Sequence, residues 1–158
     1  MNFYIKQKVF SWGDTFFIYD EAGNERYHVK GPAFSFGKKL HVYDNNGKEV
    51  AYIHQKVFSF LPTFCIYKGE TQIAEIKKRF TFAKDKYNIS GLDWDVRGDF
   101  FDHNYTVING YFPIATVTKK WFSWGDTYQI SISDDADEVS ALAVVLVIDA
   151  CIDAQRNN

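Results

Sequence analysis

The sequence predicts an all-β domain with one helix, in which about twelve antiparallel strands close into a barrel around a buried C-terminal hydrophobic helix. Three observations predict this fold. The 158 residues include 15 Phe, 10 Tyr and 4 Trp, and aromatic residues favour strands. A motif about as long as a β-hairpin recurs along the chain. The stretch 137–154 contains a long apolar run, in which Ser140 is the one polar residue between Val139 and Ile148.

The recurring motif has the form Lys-x-Phe followed by Ser or Thr. Clear copies stand at 8–11, 56–59, 78–81 and 120–123, and weaker ones at 32–35 and 99–102. The six-residue sequence Phe-Ser-Trp-Gly-Asp-Thr also occurs identically at 10–15 and 122–127. Successive copies are separated by roughly 22 residues, the length of two strands and two turns. The repeat therefore predicts six β-hairpins.

Turn signals rich in Gly, Asn, Asp and Pro divide each hairpin into strands. The predicted strands are 3–11, 15–20, 25–31, 39–44, 49–58, 63–68, 72–80, 86–90, 93–99, 103–109, 112–122 and 127–133. No linker, low-complexity run or charge block divides the chain. We therefore expect one domain over 1–158, with its strands in 3–133 and its central helix at 136–155.

Closure of the sheet and the place of the helix follow from each other. An open sheet of this size would expose two long edges, and a closed one has a lumen too wide for its own side chains, because about eight strands is the size that fills itself. The apolar helix is the natural plug. Its start is marked by the acidic segment 135–138, which resembles a capping box. A membrane span would need about 20 apolar residues, and this run stops at Asp149.

Composition limits the classes of partner. The formal net charge of −2 gives no electrostatic reason to expect nucleic acid or an anionic membrane as a bulk partner. Neither a cofactor nor a metal site is predicted. His28, His41 and His54 recur at a constant spacing, but strand parity is expected to send His28 to the opposite face. The first residues show no basic segment followed by a long apolar one, and no transmembrane segment is predicted. We therefore expect a cytoplasmic location, with peripheral attachment to a membrane as an open alternative.

With these motifs, the chain resembles the LURP-one-related family, whose fold is similar to the tubby C-terminal domain and to the phospholipid scramblases. The residues that carry the likeness are 8–15, the sequence Phe-Ser-Phe-Gly at 34–37, and the helix ending Ile148-Asp-Ala150. The resemblance covers essentially the whole chain and implies a twelve-stranded barrel around a C-terminal helix. Tubby-like domains are associated with phosphoinositide binding and scramblases with calcium-linked lipid movement. No acidic calcium loop of the EF-hand type occurs here.

Equivalent positions in the repeat should gather at one end of the barrel. The candidate residues for binding an anion or a headgroup are Lys8, Lys56, Lys78 and Lys120. The helix should return to this end, and would bring Asp149 and Asp153 there, at the negative end of its dipole. One interpretation is that these two carboxylates form structural ion pairs with one or two of the lysines.

The other interpretation is that surplus lysines form a cationic mouth for a phosphate or a lipid headgroup. Strand parity puts each lysine on the face of the Phe two residues later, so the lysines would point inward if Phe10, Phe58, Phe80 and Phe122 do. No catalytic residues are predicted, since no Gly-x-Ser-x-Gly elbow or comparable signature is present.

These features predict a non-enzymatic binding or scaffold domain, whose leading candidate ligand is an anionic lipid headgroup or a phosphorylated molecule. A protein-interaction scaffold with no small ligand is the first alternative. An enzyme is the third, because a filled lumen leaves no deep polar pocket.

Overall fold

The structure, a computed structural model, describes residues 1–6, 15–31, 37–81, 86–100, 102–122 and 125–156. The side chains of 121, 122, 125, 126, 153, 155 and 156 lie outside the described part. The described strands are β1 (Asn2–Lys6), β2 (Thr15–Tyr19), β3 (Glu25–Lys30), β4 (Lys39–Asp44), β5 (Glu49–Gln55), β6 (Thr63–Lys68), β7 (Thr71–Arg79), β8 (Lys86–Ser90), β9 (Asp95–Asp99), β10 (Asn104–Asn109), β11 (Phe112–Phe122) and β12 (Gly125–Ile132). One helix follows them, α1 (Glu138–Arg156).

All twelve strands belong to one antiparallel sheet, in which neighbours in sequence are neighbours in space. The exception is the pair β1 and β12, which brings the first strand beside the last, with Phe3 opposite Ile130 and Ile5 opposite Tyr128. This pairing removes the edges that an open meander would leave at its two termini. The predicted all-β barrel with one helix is confirmed.

The barrel is nearly closed, because the hydrogen-bonded order of strands begins at β8 and ends at β9. These two strands are joined by the turn 91–94 and are five residues long each. Their sequences, KYNIS and DVRGD, combine short length with charge, which discourages pairing with another chain. Gly91 in the connecting turn has φ of +93°, and a Cβ there would lie 2.5 Å from the carbonyl oxygen of Ile73. The turn therefore requires glycine.

Helix α1 occupies the lumen. Every side chain from Ala141 to Ile148 is at most 1% exposed, so the helix is covered on all faces, as its unbroken apolar sequence predicts. Alternate residues of the strands, among them Phe3, Val29 and Ile76, point inward and form the core with it. The predicted central position of the helix is confirmed.

The direction of α1 is fixed by contacts at its first turn. Lys68, at the end of β6, donates hydrogen bonds to Asp137 at 2.8 and 2.9 Å. The hydroxyl of Tyr27, near the start of β3, donates to the carboxylate of Glu138, and burial followed by this hydrogen bond raises the pKa of the Tyr27 phenol. The helix therefore starts where β6 ends and β3 begins, and runs to the opposite end of the barrel.

Asp137 caps the helix, and its replacement gives a first testable prediction. Its Oδ1 accepts from the backbone N–H of Ser140 at 2.8 Å. Burial raises the pKa of this carboxyl, but the hydrogen bonds from Lys68 and Ser140 outweigh burial and hold it below its usual 3.8. We expect Asp137→Ala to lower the free energy of unfolding by about 1 kcal/mol, measured by urea denaturation at neutral pH.

Asp137→Asn retains the capping acceptor and loses the charge, so we expect a smaller loss than for alanine. Because the pKa is lower in the folded state, the stabilisation by the carboxylate is present at neutral pH and is lost as pH falls below about 4. The stability difference between wild type and Asp137→Asn should therefore shrink in acid. A difference that grows in acid would contradict this assignment.

Candidate functional site

The two ends of the barrel carry opposite charge. At one end the odd-numbered strands finish and the even-numbered strands begin, and we call it the basic end. Most of the 18 Lys and Arg residues of the chain lie at or next to these strand termini. They are Lys6, Lys30, Lys38, Lys39, Lys56, Lys77, Lys78, Arg79, Lys86, Lys119 and Lys120. In the described residues the carboxyl groups at this end belong to Glu75, Asp99, Asp102 and the buried Asp149, and to Asp126 and Asp153, whose side chains lie outside the described part.

The opposite end, where α1 begins, is the acidic end. Its carboxylates lie in the turns that join even-numbered to odd-numbered strands and in the segment before α1. They are Asp20, Glu21, Glu25, Asp44, Glu49, Glu70, Asp93, Asp95, Asp134, Asp135, Asp137 and Glu138. Arg26, Lys48 and Lys68 are the described cations there. The formal net charge of −2 thus conceals a strongly polarised molecule.

The distance between the ends decides whether the charges cancel. Helix α1 has 19 residues and is therefore about 28 Å long, and it runs from one end to the other. The Debye length at physiological ionic strength is about 8 Å. A surface that touches the basic end is therefore screened from the acidic end, and net charge is a poor guide to what this molecule attracts.

The predicted lysines differ in their surroundings. Lys56 is exposed, and its Nζ lies 2.7 Å from Oε2 of Glu75; this hydrogen bond raises the pKa of Lys56 and lowers that of Glu75. Lys120, on β11, is exposed. Lys78 is 1% exposed, and its Nζ lies 5.4 Å from the ring centroid of Phe80. Lys8 lies outside the described residues.

Large apolar side chains are exposed among these cations. Phe60 is fully exposed, Phe58 is 95% exposed and Phe80 is 61% exposed. Phe58 and Phe80 therefore do not point into the barrel, and the condition under which the lysines would point inward is not met at these two positions. Both lie beyond the last strand residue, Gln55 and Arg79 respectively, where the inward and outward alternation of a strand no longer applies.

A buried polar cluster lies under the basic end, around Asp149. This carboxyl group is 1% exposed, and its Oδ1 accepts a hydrogen bond of 2.9 Å from the Tyr105 hydroxyl and lies 3.5 Å from Nδ1 of His103. Burial, then the Asp149 charge, raises the pKa of the Tyr105 phenol, so the phenol stays the donor. The described partners are thus a phenol and an imidazole, where the sequence suggested lysine. The side chain of Asp153 lies outside the described part.

His103 was not among the sequence candidates. It stands in the turn between β9 and β10 with φ of +50°, and its ring packs 4.6 Å from that of Tyr128. The charge division was also missed, and a simple signal could have found it. Alternate turns of the repeat differ in composition, since one set follows lysine-rich strand ends and the other contains Asp, Glu and Asn.

The other three histidines lie on the outer wall. His28 pairs with Tyr43 across β3 and β4, with ring centroids 4.9 Å apart, and His41 lies 6.3 Å from the same tyrosine ring. His54 stacks beside Tyr52 on β5, which in turn contacts His41. The expectation that His28 faces the other way is therefore wrong. Within the described ranges no group of three or more His, Cys, Asp or Glu is arranged to hold a metal ion.

The described surface has recesses at the basic end and on the outer wall. The recess at the basic end, of about 260 Å³, lies beside Gly37, Lys56 and Phe60, and two others lie on the outer wall. One groove of about 620 Å³ lies beside Phe17, His28 and Asn46, and another of about 230 Å³ lies beside Tyr4, Tyr19 and Lys6. The lumen is occupied by α1. No helix in the part of the chain that the structure describes is long and apolar enough to cross a membrane.

These features define a class of protein, an antiparallel barrel wound around an apolar C-terminal helix, with unlike charge at its two ends. The chain belongs to the LURP-one-related family, which matches residues 1–149. It is 38% identical over 149 residues to YxjI, an uncharacterised protein of Bacillus subtilis, covering 94% of this chain and 92% of YxjI.

The fold is also similar to that of an Arabidopsis thaliana protein solved by X-ray crystallography. The TM-score is 0.70 at 18% identity, covering 95% of this chain and 90% of that one. None of these three descriptions names an enzymatic activity or a ligand.

Proposed function

We propose that this domain is a non-enzymatic binding module that attaches peripherally to membranes, with its basic end against anionic lipid headgroups. The division of charge between the two ends carries the proposal. Of the four predicted lysines, Lys56 and Lys120 are exposed and would contact headgroups directly. Lys8 keeps the role predicted from its place in the repeat. Lys78 is too deeply buried to reach a headgroup and supports the loops from beneath.

The number of cations at the basic end makes the attraction sufficient. Each Lys or Arg close to an anionic membrane contributes about 1 kcal/mol, and the contribution falls off within a Debye length. A handful of exposed side chains therefore supplies several kcal/mol, while the acidic end lies about 28 Å away and opposes attachment little. Attachment should have a preferred orientation, with α1 pointing its C-terminal end at the membrane.

We propose a non-enzymatic role because α1 fills the lumen of the barrel. The axis of a barrel is where this architecture would hold an enclosed ligand, and α1 fills it with side chains that are at most 1% exposed between Ala141 and Ile148. The buried Asp149 cluster has polar groups but lies beneath the wall and helix, so it holds the plug in place.

Charge reversal at the basic end gives the second testable prediction. Lys86→Glu/Lys120→Glu changes two exposed strand-end lysines, and we expect it to weaken binding to phosphatidylcholine vesicles containing phosphatidylserine by at least about thirtyfold. Co-sedimentation measures the partition. The matched control is Arg26→Glu/Lys48→Glu, which changes the net charge by the same amount at the acidic end. We expect that control to bind within about threefold of wild type.

Two further experiments distinguish a lipid headgroup from a free phosphorylated ligand. Vesicles that contain phosphoinositides test for a headgroup preference, and calorimetry with a soluble inositol phosphate tests whether a free phosphorylated ligand suffices. Folded wild type that is not retained on any anionic vesicle would eliminate the membrane proposal. Equal loss in the two charge-reversal variants would show that total charge, not the basic end, governs binding.

A protein-interaction scaffold is the second candidate, and one observation favours it. Tyr111 in the turn after β10 and Phe112 at the start of β11 are 96% and 77% exposed, and they lie at the acidic end, facing away from the proposed membrane. A basic partner protein could dock there while the other end stays on lipid.

A further inference from the structure

We infer that the loop between β5 and β6 is a membrane-inserting wedge, which places the rings of Phe58 and Phe60 below the headgroups of an anionic bilayer. This inference rests on the proposed function and deepens it, because it specifies a lipid bilayer, not a free phosphorylated molecule, as the partner of the basic end. If the basic end only attracted anionic headgroups, lysines would be sufficient and exposed aromatic rings would not be needed. The two rings add a contact that only a bilayer or another apolar surface can satisfy.

The exposure of these rings is the first observation. Phe60 is fully exposed and Phe58 is 95% exposed, although aromatic side chains are ordinarily at least half buried in a folded domain. The next loop adds Phe80 at 61%. Three phenyl groups in two adjacent loops form an apolar tip, and exposed apolar tips that are rimmed by polar or charged residues mark interaction surfaces.

The loop is held in this conformation by its own hydrogen bonds. The N–H of Lys56 donates to the carbonyl of Thr63 at 2.8 Å and the N–H of Lys78 donates to the carbonyl of Pro62 at 2.9 Å. The Thr63 hydroxyl donates to the carbonyl of Leu61 at 2.9 Å and lies 2.8 Å from the Ser59 hydroxyl. The rings are therefore presented outward by a braced loop, and their insertion requires no rearrangement.

Gly37 braces the loop from the neighbouring connection. Its backbone lies so close that an added Cβ would be 2.8 Å from Cγ2 of Val57 and 3.0 Å from the carbonyl oxygen of Gln55. The base of the wedge is thus packed on both sides, by Gly37 on one and by the Lys78 backbone on the other. The two rings at the tip are the most exposed side chains of the loop.

Charge identifies the partner as an anionic bilayer. The rings rise from the basic end, with Lys56 at the start of the loop and Arg79 and Lys86 beside it. Rings flanked by cations suit an interface in which anionic headgroups cover an apolar interior. Lys56 is already paired with Glu75, so Arg79 and Lys86 supply most of the positive charge that faces the headgroups beside the rings.

The closing experiment compares two matched pairs of substitutions on phosphatidylcholine vesicles with and without phosphatidylserine. Phe58→Ser/Phe60→Ser removes the wedge, and Tyr111→Ser/Phe112→Ser removes two comparably exposed rings at the acidic end. We expect the wedge variant to partition at least about tenfold more weakly than wild type, and the control pair to bind as wild type does. Both pairs are exposed, so thermal melting should be unchanged.

Insertion itself is measured with an environment-sensitive dye. Cys65 and Cys151 are buried, so Phe60→Cys labelled with a nitrobenzoxadiazole dye reports on the loop. Its emission should shift to the blue on phosphatidylserine vesicles and be quenched by lipids brominated on their acyl chains. The same dye on Tyr111→Cys should show neither change.

The outcomes separate this inference from the proposed function. Wild-type binding that survives in Phe58→Ser/Phe60→Ser, with an unshifted dye, would overturn the wedge and leave headgroup attachment standing. Wild type that binds no vesicle would overturn both. Salt-sensitive self-association of the wild type that is abolished by either pair of substitutions would show that the rings dock on the acidic end of a second copy, which also overturns the wedge.

Discussion

Leu146→Ala is expected to lower the free energy of unfolding by about 4 kcal/mol, one of the two largest losses predicted for this chain. Leu146 lies in the middle of α1 and is fully buried. Because the barrel wall surrounds the helix, the wall has little freedom to collapse into the space that the missing atoms leave. Leu→Ala substitutions at such rigid sites cost about 3 to 5 kcal/mol, against a total stability of about 5 to 15 kcal/mol for a typical domain.

Urea denaturation measures this loss, and Phe58→Ala is its matched control. The control removes a larger apolar side chain, but one that is 95% exposed, so its effect should stay within about 0.5 kcal/mol. A loss under about 1 kcal/mol for Leu146→Ala would mean that α1 lies at the surface of the protein and is not enclosed in its core. In that case the plugged-barrel account of this chain would be wrong.

The fold could be predicted from the sequence because its main signals are local and repeated. In the described residues the Lys-x-Phe motif falls at or directly after the ends of β5, β7 and β11, and Asn46-Gly47 and Lys68-Gly69 mark turns at the other end of the barrel. The apolar run from Ala141 to Ile148 then specifies what the sheet must enclose. The sequence did not predict, however, that the barrel would be incompletely closed. The gap lies between β8 and β9, and no pattern in either strand predicts that the hydrogen-bonded order ends there.

The site was less accessible from sequence, for two physical reasons. Lys78 and Lys120 occupy equivalent places in the repeat, but one is buried and the other exposed, because burial at a barrel end depends on the neighbouring loops. His103 has no sequence signal of its own, since a turn residue reaches Asp149 only after the helix has returned through the lumen. Net charge was also a poor guide to the partner of this domain, because it adds together the charges of two ends that the sheet holds apart.

Asp149→Ala is the second substitution expected to have a large effect, a loss of about 3 kcal/mol in the free energy of unfolding. The Tyr105 hydroxyl would lose its 2.9 Å acceptor, and His103 Nδ1 would lose the carboxylate 3.5 Å away. Both side chains are almost completely buried, and each buried polar group that is left without its partner costs about 1 to 3 kcal/mol. The new alanine also leaves space next to the last turns of α1.

A double-mutant cycle separates the hydrogen bond from the lost volume. Asp149→Asn keeps the size of the side chain and an acceptor for Tyr105, so it should cost less than alanine. Tyr105→Phe removes the donor and leaves the carboxyl buried. If the two groups stabilise each other directly, the effects of Asp149→Ala and Tyr105→Phe should fail to add by about 1 kcal/mol or more. Additive effects would mean that Asp149 is held by other groups, and the predicted lysine pairing would then be the explanation to test. The cycle therefore identifies which partner holds the C-terminal part of the helix inside the barrel.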